Sequence, residues 1–173
     1  FVIEGDEYDS AFFDKTAKFL KYLPDIAVIG NVEFDHADIY ADVEAVTLAF
    51  RRLVNLVPRR GLLVIGADSE RAAALAASAH SRVQTFGTAE DADWRASEIE
   101  AAAGATTFTL TRHGAPFGRF EVPLVGVYNV RNATAAIIVA TEAGVGADRI
   151  AHGLRLFAGV KRRLEVVGVA GGV

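Results

Sequence analysis

Short apolar runs alternate along the first half of the chain with stretches whose apolar positions recur at helical spacing. Four runs read as buried strands: residues 1–4, "IAVIG" at 26–30, "LLVIG" at 62–66 and "RVQTFG" at 82–87. Residues 42–57 place Val43, Val46, Leu48, Phe50, Leu53, Val54 and Val57 on a helical stripe, which Pro58 and Gly61 end. "DSERAAALAASAH" opens on an N-cap candidate, Asp68 or Ser69, and reads as another helix. Between the first two strands, Phe12, Phe13, Phe19, Leu20 and Leu23 follow a partly helical period until Pro24 interrupts it. This order predicts an α/β fold: a mostly parallel sheet flanked by helices, with right-handed crossovers.

The texture then changes. Residues 92–124 alternate polar with apolar or β-branched positions and carry turn signals at Gly104 and "HGAP". That pattern predicts a small antiparallel sheet of about three strands. "GVYNVRNATAAIIVATEAG" then predicts a helix from Asn129 to Ala143, stopped by Gly144. "ADRIAHGLRLFAG" predicts a further helix and "RRLEVVGV" a last strand.

Composition narrows the function classes. With 173 residues, 51% of them hydrophobic, the chain can bury one substantial core. No apolar run approaches the roughly 20 residues that cross a bilayer, which argues against a membrane helix. A net charge of −4 leaves no basic excess for non-specific nucleic-acid binding. The absence of cysteine excludes disulfide and thiolate chemistry and fits a reducing compartment such as the cytoplasm. The chain lacks methionine and opens inside an apolar run, so it is expected to be a piece of a longer protein.

Candidate chemistry clusters where strands end, since open α/β sheets bind ligands beyond the carboxyl ends of their strands. Acid-rich turns follow the first and second strands: "EGDEYD" at 4–9 and "NVEFDHAD" at 31–38. If those strands are neighbours, Glu4 and His36 face one crevice. A carboxylate and an imidazole there suit a divalent cation completed by phosphate and water; the plainer alternative is a solvated turn with His36 as a helix cap. In "GVYNVRN", Asn129 suits a helix cap, whereas the Asn132 amide offers the donor and acceptor needed to read an adenine edge. Lys161, Arg162 and Arg163 follow a helix; they either complement its C-terminus or supply an arginine to a transferring phosphoryl group. His80, His113 and His152 lack a carboxylate-rich neighbourhood, and no "GxxxxGK[ST]" phosphate loop is present.

Four of these stretches, "EGDEYD", "NVEFDHADIY", "GVYNVRNATAA" and "GVKRRLE", in this order and at domain-scale spacing, resemble the central domain of the ATP-dependent Mur ligases of peptidoglycan synthesis. Within that family "DEYDSAFFDKTAKFLKYLP" is similar to the recycling branch, the murein peptide ligases. The resemblance implies ATP and Mg²⁺ as cofactors and activation of a carboxylate as an acyl phosphate, from which an amine then displaces phosphate to form an amide. It implies UDP-N-acetylmuramate as donor and the tripeptide L-alanyl-γ-D-glutamyl-meso-diaminopimelate as acceptor; the alternatives are the L-alanine-adding branch and a non-catalytic nucleotide-binding relative. Glu4 and His36 match the family's metal ligands, Asn129 and Asn132 its adenine-side asparagines, and Arg163 its nucleotide-phosphate arginine. Glu7, Tyr8 and Asp9 lie where the donor's sugar acid would approach. Tyr128 stands where several relatives have histidine. Some members carry a carbamylated lysine in the helix after the histidine; here "TLAFRRLVN" has arginines and no lysine, so no such modification is expected. Residues 1–162 are expected to be a partial central domain, inactive alone, and 163–173 the start of a connection to a following domain.

Overall fold

The structure, a computed structural model, describes residues 1–34, 37–102 and 104–160. A two-stranded hairpin, β1 (Asp9–Ala11) and β2 (Asp14–Ala17), precedes a six-stranded sheet. That sheet contains β3 (Ile26–Ile29), β4 (Leu62–Gly66), β5 (Arg82–Gly87), β6 (Trp94–Ala102), β7 (Ala105–Arg112) and β8 (Ala115–Val122), lying side by side in chain order. β3 to β6 run parallel and β6 to β8 antiparallel. Thus the antiparallel strands expected near 92–124 extend the parallel sheet. The join is narrow: β5 and β6 pair only at Phe86↔Trp94 and Gly87↔Arg95.

Helices cover both faces. α1 (Val43–Leu56) and α2 (Glu70–Ala74, followed by a 3-10 turn) pack on one; α3 (Val127–Glu142) and α4 (Ala147–Arg155) lie on the other. β4 shows why it is apolar throughout: Leu62 and Val64 enter the α3 core, and Leu63 and Ile65 enter the α1 core. The Asp42 carboxylate accepts from the Ala45 amide at 2.8 Å and caps α1. The first hairpin is seated through Phe19, whose ring lies 5.2 Å from that of Phe50 on α1.

Several expectations are corrected. Residues 1–4 form no strand, and Phe1, Val2 and Ile3 are exposed, with no neighbouring strand paired to them. Residues 9–23 form the hairpin and a 3-10 turn, not a helix. Phe12 and Phe13 occupy the hairpin tip at 91% exposure each, so their spacing does not mark a buried stripe. "IAVIG" is an edge strand: Ala27 and Ile29 enter the α1 core, while Val28, on the opposite face, is left 45% exposed. α3 starts two residues before Asn129 and its N-cap is Gly126. The predicted last strand, with Lys161, Arg162 and Arg163, lies outside the described residues.

Candidate functional site

Beyond the carboxyl ends of β3, β4 and β5 three loops meet, and glycine lets them. A Cβ at Gly66 would stand 1.9 Å from the Gly30 carbonyl oxygen, so the loop after β4 touches the loop after β3 backbone to backbone. The Ser69 hydroxyl accepts from the Ala72 amide (3.3 Å), capping α2, and lies 3.4 Å from the Val32 amide, which ties it to the β3 loop. Asp68, the other N-cap candidate, instead reaches the β5 loop. Its carboxylate accepts from the Thr88 amide (2.9 Å), the Thr88 hydroxyl (3.0 Å) and the Ala89 amide (2.8 Å). It occupies the space a Cβ at Gly87 would need. From α3, Arg131 Nε approaches Asp68 Oδ2 to 2.7 Å, an ion pair without an aligned hydrogen bond. These loops and α3 enclose a cleft of about 700 Å³.

A second cleft, about 800 Å³, opens on the other side of the same helix, against the end of β8 and α4. Glu4, Asn129 and Asn132 all line it. Tyr128 and Asn132, one turn apart, line both clefts. The two asparagines differ in what they do for the fold. Asn129 Nδ2 donates to the Val125 carbonyl at 2.9 Å and closes the turn that begins α3, a role other than the N-cap expected of it. Asn132 is exposed and has no hydrogen bond within the described protein, so its amide faces the cleft uncommitted.

The acid-rich turns come together as well. The Tyr40 hydroxyl donates to the Glu7 carbonyl at 2.7 Å, joining the segment after β3 to "EGDEYD". Burial raises the Tyr40 pKa, with the negative charges of Glu7 and Asp6 adding to the effect. Asp6 accepts from the Tyr8 amide and pairs with Lys18 at 2.9 Å, a hydrogen bond that raises the lysine pKa. Asp9 pairs with Lys15 at 2.5 Å within the hairpin. Glu7, Tyr8 and Asp9 line neither cleft, so the weaker substrate expectation finds them at the foot of the hairpin. His36 and Arg163 lie outside the described residues.

Among the described residues no three His, Asp or Glu side chains gather into a metal cluster. Glu4, exposed on its cleft and with no ion pair among the described residues, is the donor suited to a hard cation that takes most of its oxygens from phosphate and water. The cleft residues that sequence reasoning did not single out are Asp68, as more than a cap, and Arg131. Asp68 follows a strand buried at every position, which was the available signal; an arginine inside a helix carries none. His113, one of the histidines without a carboxylate-rich neighbourhood, has a single acid beside it: its Nδ1 lies 3.1 Å from Asp93, a partly exposed pair at the start of the β6–β7 pairing.

Comparison with known proteins adds to this geometry. The family described as "Mur ligase middle domain" matches residues 1–140. A UDP-N-acetylmuramate–L-alanine ligase of Salinibacter ruber is 36% identical over 99% of this chain and 35% of its own length. A UDP-N-acetylmuramate–L-alanyl-gamma-D-glutamyl-meso-2,6-diaminoheptandioate ligase of Haemophilus influenzae is 37% identical over 97% of this chain and 36% of its own. The crystal structure of the corresponding meso-diaminopimelate ligase from Neisseria meningitides superposes with a TM-score of 0.82 at 40% identity, covering 94% of this chain and 49% of that one. The chain therefore spans about a third of the length of the curated relatives it matches.

Proposed function

This chain belongs to the Mur ligase family, and from that premise we propose that residues 1–162 are the larger part of the central, ATP-handling domain of an amide-bond ligase, with 163–173 leading on from it. The reaction joins the lactyl carboxylate of UDP-N-acetylmuramate to the amine of L-alanyl-γ-D-glutamyl-meso-diaminopimelate by way of an acyl phosphate. The observation that carries the reading is the convergence of Glu4, Asn129 and Asn132 on one cleft around the start of α3.

Bringing a carboxylate against a polyphosphate opposes like charges. Glu4 and His36 are the residues that would hold Mg²⁺, and the cation when bound supplies the positive charge that offsets this repulsion. Arg163 would serve the same end at the phosphates. Asn132, which lines both clefts and whose amide has no partner among the described residues, would hold the adenine edge, and Asn129 would fix the turn from which Asn132 is presented. Glu7, Tyr8 and Asp9 would border the approach of the sugar acid, steadied by the Tyr40 hydrogen bond to Glu7.

The peptide acceptor is favoured by the hairpin segment "DEYDSAFFDKTAKFLKYLP" and by the 40% identity to the Neisseria ligase. L-alanine is the second reading, favoured by relatives named for it, such as the Salinibacter ligase. The full-length protein supplied with ATP, Mg²⁺, UDP-N-acetylmuramate and either amine separates the two. Phosphate release and a joined product with the tripeptide alone support the peptide reading. Product with alanine alone supports the other, and no product with either refutes the ligase reading.

A further inference from the structure

We propose that Arg131, clamped by Asp68, is a nucleotide-affinity residue that holds the base-and-ribose end of the nucleotide in the cleft beyond β3 and β4. The assignment rests on the ligase reading and adds to it a side chain unassigned by the family resemblance. Asp68 is nearly buried, its side chain 13% exposed, and the Thr88 and Ala89 amides lock it in place. It draws the Arg131 guanidinium by its buried Nε edge. The Arg131 side chain is nevertheless 42% exposed, and its two Nη groups have no partner among the described residues. A guanidinium held at one edge by an ion pair has already lost part of the freedom that usually makes arginine costly to order, and its remaining donors are left to the cleft.

The cleft composition selects what those donors meet. Glu33, Asp68 and Glu70 line it against Arg71 and Arg131, a balance that disfavours a polyphosphate. It suits an uncharged ring and sugar whose nitrogens and hydroxyls can accept from arginine and donate to carboxylates. The touching backbones of Gly30 and Gly66 leave a floor without side chains, on which a flat ring can lie close. Asn132 reaches the same cleft one position along α3.

The test uses the full-length protein, as wild type, Arg131→Ala and Arg131→Gln. Affinities for ATP and for adenosine are measured by displacement of a fluorescent ATP analogue, together with KM for ATP, kcat and the melting temperature. Arg131→Ala is expected to weaken ATP and adenosine alike by about tenfold, the worth of hydrogen bonds from a charged donor, and to raise KM by the same factor. Its kcat should stay within twofold and its melting temperature unchanged; Arg131→Gln, with an amide in place of the fork, should fall between. Affinities within twofold of wild type in both variants would overturn the assignment, as would a loss seen for ATP and not for adenosine, which would place the contact on phosphate. A lower melting temperature with unchanged affinity would overturn it in favour of a structural pair. A wild type that joins substrates yet shows no effect of Arg131 leaves the ligase reading standing without the assignment. A wild type that binds no nucleotide removes both.

Discussion

The Tyr40 hydroxyl donates to the Glu7 carbonyl oxygen across 33 positions of sequence, and so fastens the segment after β3 to the acidic turn that opens the chain. Tyr40→Phe deletes that bond while keeping the ring. The expected cost is about 1 kcal/mol in urea unfolding at neutral pH. The wild type should also show an alkaline dependence. Burial raises the hydroxyl pKa above its ordinary 10.0, so the tyrosine's contribution is complete below pH 10 and lost as pH rises through the elevated value. Tyr40→Phe should remove that alkaline loss; an identical profile in both proteins would contradict it.

Asn129 and Asn132 should separate stability from binding. Asn129→Ala removes the hydrogen bond to Val125 that closes the start of α3, and about 1 kcal/mol of stability should go with it. Asn132→Ala loses no bond within the described protein and gains helix propensity, so stability should hold or rise slightly. Its ATP affinity should drop severalfold. Calorimetry and nucleotide titration on the two variants read this out.

A methyl group at position 66 should do more damage than one at position 30. At Gly66 the added carbon meets a backbone carbonyl that cannot swing away; at Gly30 it meets open space. Gly66→Ala should cost about 2–3 kcal/mol and Gly30→Ala less than about 0.5 kcal/mol, as midpoint shifts in urea. Equal effects would mean that the two loops do not touch.

The hairpin carries an acid-sensitive lock. Lys21 first, then the Thr16 hydroxyl and amide, stabilise the ionised Asp14 carboxylate and lower its pKa from 3.8 to about 2. Because the folded value is depressed, its contribution is present above pH 3.8 and fades as pH falls toward 2. Carboxyl chemical shifts followed from pH 5 to about pH 1.5 should show Asp14 titrating well below its ordinary 3.8. Asp14→Asn should loosen hairpin amide exchange at pH 5 and leave it less dependent on acid.

What could be read in advance follows what each residue pair depends on. "LLVIG" announced a doubly covered strand because burial on both faces demands apolar side chains at every position, and β4 meets that demand. The alternation after Asp93 announced antiparallel strands for a similarly local reason. The hairpin at 9–17 was hidden, because Phe12 and Phe13 mimic a buried stripe while standing in solvent, and what seats the hairpin is a contact between Phe19 and Phe50, 31 positions away. Arg131 was hidden for the same reason: its meaning lies in a carboxylate 63 positions earlier. That Glu4 and Asn132 belong to motif stretches is legible in the sequence, and that they share a cleft is not; the partners of side chains that tie loops together, such as Asp68 and Arg131, depend on register and carry no local signal.

The two halves of the main sheet share only two residue pairs, and the single tryptophan of the chain stands at one of them. Trp94 is buried there, its indole N–H donating to Gln84 at 2.7 Å and its ring edge-on to Phe117 at 4.7 Å. Its emission is therefore a built-in optical gauge of the seam, blue when the halves are docked and red once water enters. A fluorescence transition that precedes loss of helical circular dichroism would mark the seam as the first fault line to open, and would divide the chain into two cooperative units bridged by α3.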